Sequence, residues 1–284
     1  MQSQTHIEAW ESSTHLLADR LLIQDWLHDL PWQVVAPEFL AQEAHLLPVV
    51  LQLDELEPPH RKEVQQQLAM SDPSKVAPAM LIGSDLSTGA LARQLARHVT
   101  VTLSDGSHAL LRLADPEVFI HLLWVLPLPH LASLCEAARQ WSVPLMGEWF
   151  ELQFDNRPEP AWDTLSEESS IALVNVGLVN DVLATLPEPG GIKELWRTGQ
   201  QCNQWLCTAQ TRFGLTDAAD CVAFARHGVL LGNGFTHHPV LAPHLETARE
   251  IPGAYAQQTA PISQREWNRV IADIEQSSQK RNAS

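Results

Sequence analysis

The sequence predicts an α+β protein. An N-terminal lobe of α/β-like character, built around a mixed sheet, is followed by a mainly α-helical C-terminal lobe. Three observations carry this. Short apolar runs alternate with helical patterns up to residue 155. A polar break then follows, Asp155-Asn156-Arg157-Pro158-Glu159-Pro160, whose two prolines read as a linker. Beyond it, capped segments of helical periodicity succeed one another. The domains are therefore placed at 1–155 and 161–284.

In the first lobe, residues 46–53 form an almost wholly apolar run, the pattern of a buried strand. Residues 55–69 are polar with spaced apolar positions and read as a surface helix. Residues 79–82 are a second buried strand, ended by Gly83, and residues 86–97 have helical spacing with Leu91 and Leu95 four apart. Residues 99–103 alternate as a half-buried strand does. Asp105-Gly106 then supplies two residues tolerant of positive φ, a hairpin signal, and residues 108–113 return. The opening 44 residues give no strand that can be placed.

In the second lobe, Thr164-Leu165-Ser166-Glu167 has capping-box spacing and starts a helix that runs to about residue 186. Pro187-Glu188-Pro189-Gly190-Gly191 stops it. Residues 192–213 are a second helix, ended by Gly214. Thr216 or Asp217 caps a third, running towards Leu231, and residues 239–251 form a fourth. Ser263-Gln264-Arg265-Glu266 is another capping box, opening a last helix through Ile274. The tail after Gln276 is expected to fray.

The 284 residues carry 34 acidic and 18 basic side chains, a formal charge of −16. Such a balance argues against phosphate-backbone binding, which needs clustered Lys and Arg, and against an anionic membrane surface. No nucleic-acid or membrane partner is expected. The acidity is concentrated in residues 1–155, with 20 acidic and 8 basic side chains, so a basic partner would meet that part. A solvated acidic face explains the same numbers. Cys135, Cys202, Cys207 and Cys221 form no CxxC pair and no disulfide framework, which fits a reducing compartment. Met1-Gln2-Ser3-Gln4 lacks the basic and apolar regions of a secretory signal, and no apolar run approaches the ~20 residues of a membrane helix. A cytoplasmic protein is expected.

No P-loop, GxGxxG, GxSxG elbow, HExxH or EF-hand loop is present. No catalytic residue, metal ligand or cofactor is assigned. The one histidine-rich stretch holds His227, His237, His238 and His244, but adjacent His237 and His238 should diverge, and Pro239 biases His238 to an extended backbone. Cys202 and Cys207, five apart on a helix, lie ~140° apart around its axis and read as core residues. Cys221 with His227 has no orienting or oxyanion motif beside it.

The most informative segment is Leu111-Arg112-Leu113-Ala114-Asp115-Pro116-Glu117-Val118-Phe119. It reads as a strand carrying Arg112 at its end and turning into a helix, with Asp115 as N-cap and Pro116 at the first helical position. Val118, His121, Leu122 and Val125 share a face of that helix, flanked by Trp124. Arg112 can reach Asp115 across the corner. The pair is either an architectural clamp or a direct partner contact. Of the ten tryptophans, Trp124, Trp141 and Trp149 follow closely in sequence. Indoles serve as core residues and as interface anchors, and one or two could line a groove for a partner.

Here the sequence resembles the Tap/TEC-type adaptors of bacterial type VI secretion, long catalogued only as a domain of unknown function. The segment above, followed by His121-Leu122-Leu123-Trp124, His130-Leu131, Trp141, Gly147 and Trp149, follows that family's order and spacing. The likeness is clearest over residues 45–150. In the second lobe, Gly177 and Asn180 resemble a recurring Gly-x-x-Asn helix, and residues 220–239 are also similar. Ala114 departs from the family's usual aromatic and Glu117 from its usual Arg, so no role of that Arg carries over.

The resemblance implies a non-enzymatic chaperone-like adaptor. Such a protein binds a cognate effector toxin and helps load it onto the VgrG-type spike, directly or through a PAAR-type tip. It marks Arg112, Asp115, Pro116, Phe119, His121, Trp124, Trp141 and Trp149 as candidate partner-binding or motif residues. Two readings from other classes stand beside it: an immunity-type toxin-binding protein, and a metal-dependent hydrolase using the His227 to His244 region.

Overall fold

The computed structural model describes residues 2–23, 30–69, 79–153 and 164–282. The chain divides into two compact units, Met1–Leu173 and Val174–Ser284. The break read as a linker, 155–160, lies outside the described residues.

The first unit runs β1 (Gln2–Gln4), α1 (His6–Glu11), β2 (His15–Ala18), β3 (Gln33–Val34), β4 (Val49–Gln52), α2 (Pro58–Ala69) and β5 (Ala79–Gly83). It continues through α3 (Thr88–Ala96), β6 (Thr100–Thr102), β7 (His108–Leu110), α4 (Pro116–Val125), α5 (Leu128–Cys135), β8 (Gln140–Leu145), β9 (Glu148–Gln153) and α6 (Glu167–Val174). Seven strands form one sheet in the order β1-β9-β8-β5-β2-β4-β3.

The α+β class holds, but the sheet is antiparallel in every named pairing rather than mixed. The reason is β2. Strand–helix–strand order suggests parallel neighbours, yet β2 inserts between β4 and β5 and runs against both. Its four residues, His15-Leu16-Leu17-Ala18, are buried on both faces. Such a strand shows no alternation and is too short to stand out.

Register assigns the faces. Leu16, Leu51 and Leu81 lie on one face, packed with Trp10 of α1 and Val64 and Leu68 of α2. Ile82 pairs with Trp141 on the other. There Phe119 of α4 stacks on Trp141, centroids 5.0 Å apart at 15°. The sheet is thus covered by helices on both sides. The β8–β9 turn is Met146-Gly147, both at positive φ (54° and 74°), the twist a two-residue hairpin requires.

The hairpin expected at Asp105-Gly106 forms, with Gly106 at φ 83°, but as a separate two-stranded sheet of β6 and β7. β7 ends at Leu110, so Arg112 lies in the following loop rather than on the strand.

The second unit is helical: α7 (Val176–Leu183), α8 (Ile192–Arg212), α9 (Ala218–Leu231), α10 (Ala242–Glu250), α11 (Ala254–Thr259) and α12 (Gln264–Asn282). Its core gathers Leu206, Phe224, Phe235, Leu245, Tyr255 and Val270. Gly228 lets α9 approach α8: a Cβ there would lie 2.2 Å from a Trp205 ring carbon.

Three helix boundaries differ from the sequence reading. The helix from 164 starts later, since the Ser166 hydroxyl accepts from the Ser169 N–H (3.1 Å) while Thr164 bridges to Thr102. It also breaks at Asn175, whose buried amide bonds Asn203 (3.1 Å) and Gln210 (3.0 Å) on α8. The last helix continues past Gln276 to Asn282. The Ser263–Glu266 capping box is present in both directions (3.0 and 3.3 Å), and Asp217 caps α9.

Candidate partner-binding site

The corner between β7 and α4 is held by Arg112. Its Nη2 donates to Asp19 Oδ2 at 2.9 Å, with Nε at 3.3 Å from the same oxygen. The same Nη2 lies 3.1 Å from Asp115 Oδ2. Asp115 also caps α4, its Oδ1 accepting from the Glu117 N–H at 3.0 Å. Asp19 follows β2 and accepts from the Leu21 N–H at 2.9 Å. One guanidinium therefore ties the end of a central strand to the start of a helix. The Arg112–Asp115 pair was legible from spacing. Asp19, 93 positions from Arg112, was not, because its strand was not recognised.

The two aspartate side chains are only 8 and 9% exposed, whereas that of Arg112 is 48% exposed. Burial raises the Asp115 carboxyl above its ordinary range against the opposing pull of Arg112. Burial, with the Asp115 charge, raises Glu117 as well. For Arg112, burial opposes the charge, but the hydrogen bond to Asp19 and the surrounding carboxylates outweigh it and raise its pKa. One cation thus serves Asp19, Asp115 and Glu117. Its charge is already used inside the molecule.

The other expected site residues divide by depth. Pro116, Phe119 and His121 are buried on α4. Trp141 is fully buried on one face of the sheet, and Trp149 is buried on the other, against His6 (5.6 Å). Trp124 is half-buried, and its Nε1 donates to His121 Nδ1 at 3.2 Å. Arg112 and Trp124 therefore reach the surface; Asp115, Pro116, Phe119, His121, Trp141 and Trp149 build what lies beneath. Ala114, where the resembled family has an aromatic, is buried too.

A groove of about 810 Å³ lies elsewhere in the first unit, bounded by the 3-10 turns at Glu38–Leu40 and Ala44–Leu46, the end of α3, the β6–β7 hairpin and α5. Phe39, Leu46 and Leu110 border it while 72, 45 and 49% exposed. Burial lowers the pKa of His98 in its wall, helped by Arg97 and His130 and opposed by a backbone hydrogen bond at Ser133. Sequence reading missed this groove. Of its apolar lip, Phe39 falls in an irregular segment without periodicity, Leu46 reads as the first residue of a buried strand but lies in an exposed 3-10 turn, and Leu110 is a strand residue; single exposed apolar residues carry no signal of their own.

In the helical unit, His227 Nδ1 meets the Tyr255 hydroxyl at 2.8 Å, not Cys221. His237 is exposed while its neighbour His238 is buried, with Nε2 3.5 Å from Asp273. His244 Nδ1 bonds Gln258 at 2.6 Å. Among the described residues, no three His, Cys, Asp or Glu side chains converge on a common metal position. Cys202 and Cys221 are buried, which pushes their thiols up to about 12 and about 11. Cys207 is only partly buried, beside Asn175 and Asn203.

Residues 17–133 match the family described as "Domain of unknown function (DUF4123)". The match contains Asp19, Arg112, Asp115 and Trp124 as well as most of the groove. No curated protein and no solved structure matches the chain significantly. Among the described residues, no helix is long and apolar enough to cross a membrane.

Proposed function

We propose that this chain is a non-enzymatic cytoplasmic adaptor that binds a cognate type VI secretion effector. It would help load that effector onto the VgrG-type spike, directly or through a PAAR-type tip. The observation that carries this is the Arg112 to Trp124 segment. It resembles the adaptor family in order and spacing, lies inside the matched region 17–133, and forms a braced corner with Arg112 and Trp124 at the surface. The acidic first lobe, with 20 acidic and 8 basic side chains in residues 1–155, suits a basic partner surface.

Affinity purification of the tagged chain from cells expressing the secretion system tests this. A multidomain toxin should be recovered, with or without a spike protein, and deleting the adaptor should stop delivery of that toxin alone. Recovery of neither overturns the reading. A deletion that leaves secretion intact but makes the cell sensitive to the toxin marks an immunity protein instead. Stoichiometric zinc lost on His237→Ala and His238→Ala would favour the hydrolase.

A further inference from the structure

Among the described residues, strand pairing leaves one edge of the hairpin unused. Leu103 N–H donates to Ser107 C=O (2.8 Å) and Leu111 N–H to Val99 C=O (2.7 Å), so the pairs facing inward are 99–111, 101–109 and 103–107. Alternation then turns the backbone N–H and C=O groups of His108 and Leu110 away from β6. The opposite edge is occupied: Thr102 C=O accepts from the Leu165 N–H at 2.9 Å. β7 is the terminal strand of its sheet. Its three residues, His-Ala-Leu, lack the lysine or proline with which proteins usually blunt such an edge. The main sheet's edges offer less. β1 is Gln-Ser-Gln, and β3 is two residues long.

The groove borders this edge. His108 and Leu110 line it together with Phe39 and Leu46. Unpaired strand groups beside exposed apolar side chains are the two components of β-augmentation. The main chain supplies affinity, and pockets for alternate side chains supply selectivity. A second copy of this chain is a poor occupant, because each brings a net charge of −16. In the groove wall Glu43 and Glu136 outnumber Arg97, which leaves a net negative lining that favours basic flanks.

We infer that the free edge of β7 and its groove receive an extended, basic-flanked apolar segment of a partner protein as an added strand. The adaptor reading enters only in naming that partner as the effector.

The test uses the full chain and a fluorescein-labelled peptide of alternating valine and threonine flanked by lysine pairs. Binding is read by anisotropy and by amide exchange. Saturable binding is expected, with slowed exchange at His108 and Leu110. An analogue methylated on alternate backbone nitrogens should bind at least about tenfold more weakly. Leu110→Pro, which removes an outward donor and no ladder bond, and Phe39→Asp, outside the hairpin, should each cost about tenfold. Absence of saturable binding, equal binding of the methylated peptide, or protection confined to other segments overturns the inference. If the captured effector is retained in full by a folded Phe39→Asp chain, the strand inference falls and the adaptor reading stands. If no effector is captured but the peptide behaves as expected, the edge stands and the adaptor reading falls.

Discussion

The two units brace their turns in opposite ways. In the sheet unit a half-exposed cation, Arg112, is shared among Asp19, Asp115 and Glu117. In the helical unit a fully buried carboxylate, Asp220, accepts the N–H groups of Gly253 and Ala256 at 2.8 Å each, capping α11. Beside it, buried His227 bonds Tyr255. Among the described residues, Asp220 forms no salt bridge. The first brace depends on charge that salt and pH can both reach. The second is sealed, so only protonation or truncation disturbs it.

The sharpest way to break this contrast is acid. Burial, with a smaller push from Arg226, lowers His227 to about 3 from an ordinary 6.5. The unfolded chain then binds a proton that the folded unit refuses. Stability is lost as pH falls from about 6.5 towards 3, by on the order of 4 kcal/mol at the lower end. His227→Gln should flatten this loss, measured by exchange of α8 and α9 amides; an unchanged slope would show that His227 is not the titrating group. The corner should move the other way. Asp115 takes its proton at higher pH folded than unfolded, so acidification through that range relieves the corner.

Truncating the sealed brace comes next. Asp220→Ala leaves two amides at the start of α11, those of Gly253 and Ala256, without their acceptor, at a cost of about 3 kcal/mol. Asp220→Asn should recover part of it. Both losses should be the same in low and high salt, and a strongly salt-dependent difference would put Asp220 with the charged corner instead. Arg112→Ala should cost less, about 1–2 kcal/mol, because the guanidinium is half in water and its pairs are screened, although the two buried aspartates it leaves keep the loss from being negligible. This loss should shrink in high salt. Wild-type stability after Arg112→Ala would sink the clamp.

What was legible in the sequence follows the same division. Local signals were read well: the capping box at Ser263, Asp217, the Asp-Gly hairpin, and Asp115-Pro116 opening α4 all depend on residues within four positions of one another. Relations made by tertiary pairing were not. β2 carries no alternation, so its insertion between β4 and β5, and with it the partnership of Asp19 with Arg112, was invisible. Asn175 interrupts a run with good helical periodicity because it is worth more bonded to α8 than left in a continuous helix. The Met146-Gly147 turn lacks the usual Asn or Asp, so the β8–β9 hairpin gave no warning. For the site, the corner was readable as a motif, but the depth of Trp141 and Trp149 was set by which sheet face each strand position met.

The smallest effect separates architecture from contact. Asp115 does two things: it caps α4 through Glu117 N–H and it faces Arg112. Asp115→Asn keeps a cap of nearly equal quality and removes a charge that burial disfavours, so its stability should stay within about 0.5 kcal/mol of wild type. Asp115→Ala removes both and should cost about 1 kcal/mol. If the corner acts only as a brace, partner capture should follow these costs and remain near wild type in Asp115→Asn at low temperature. If Arg112 instead touches the partner directly, freeing it from Asp115 redirects a guanidinium at the interface. Capture by Asp115→Asn should then change several-fold while its unfolding midpoint barely moves. A thermal unfolding curve and a pull-down on the same preparation distinguish the two, because only a brace makes them rise and fall together.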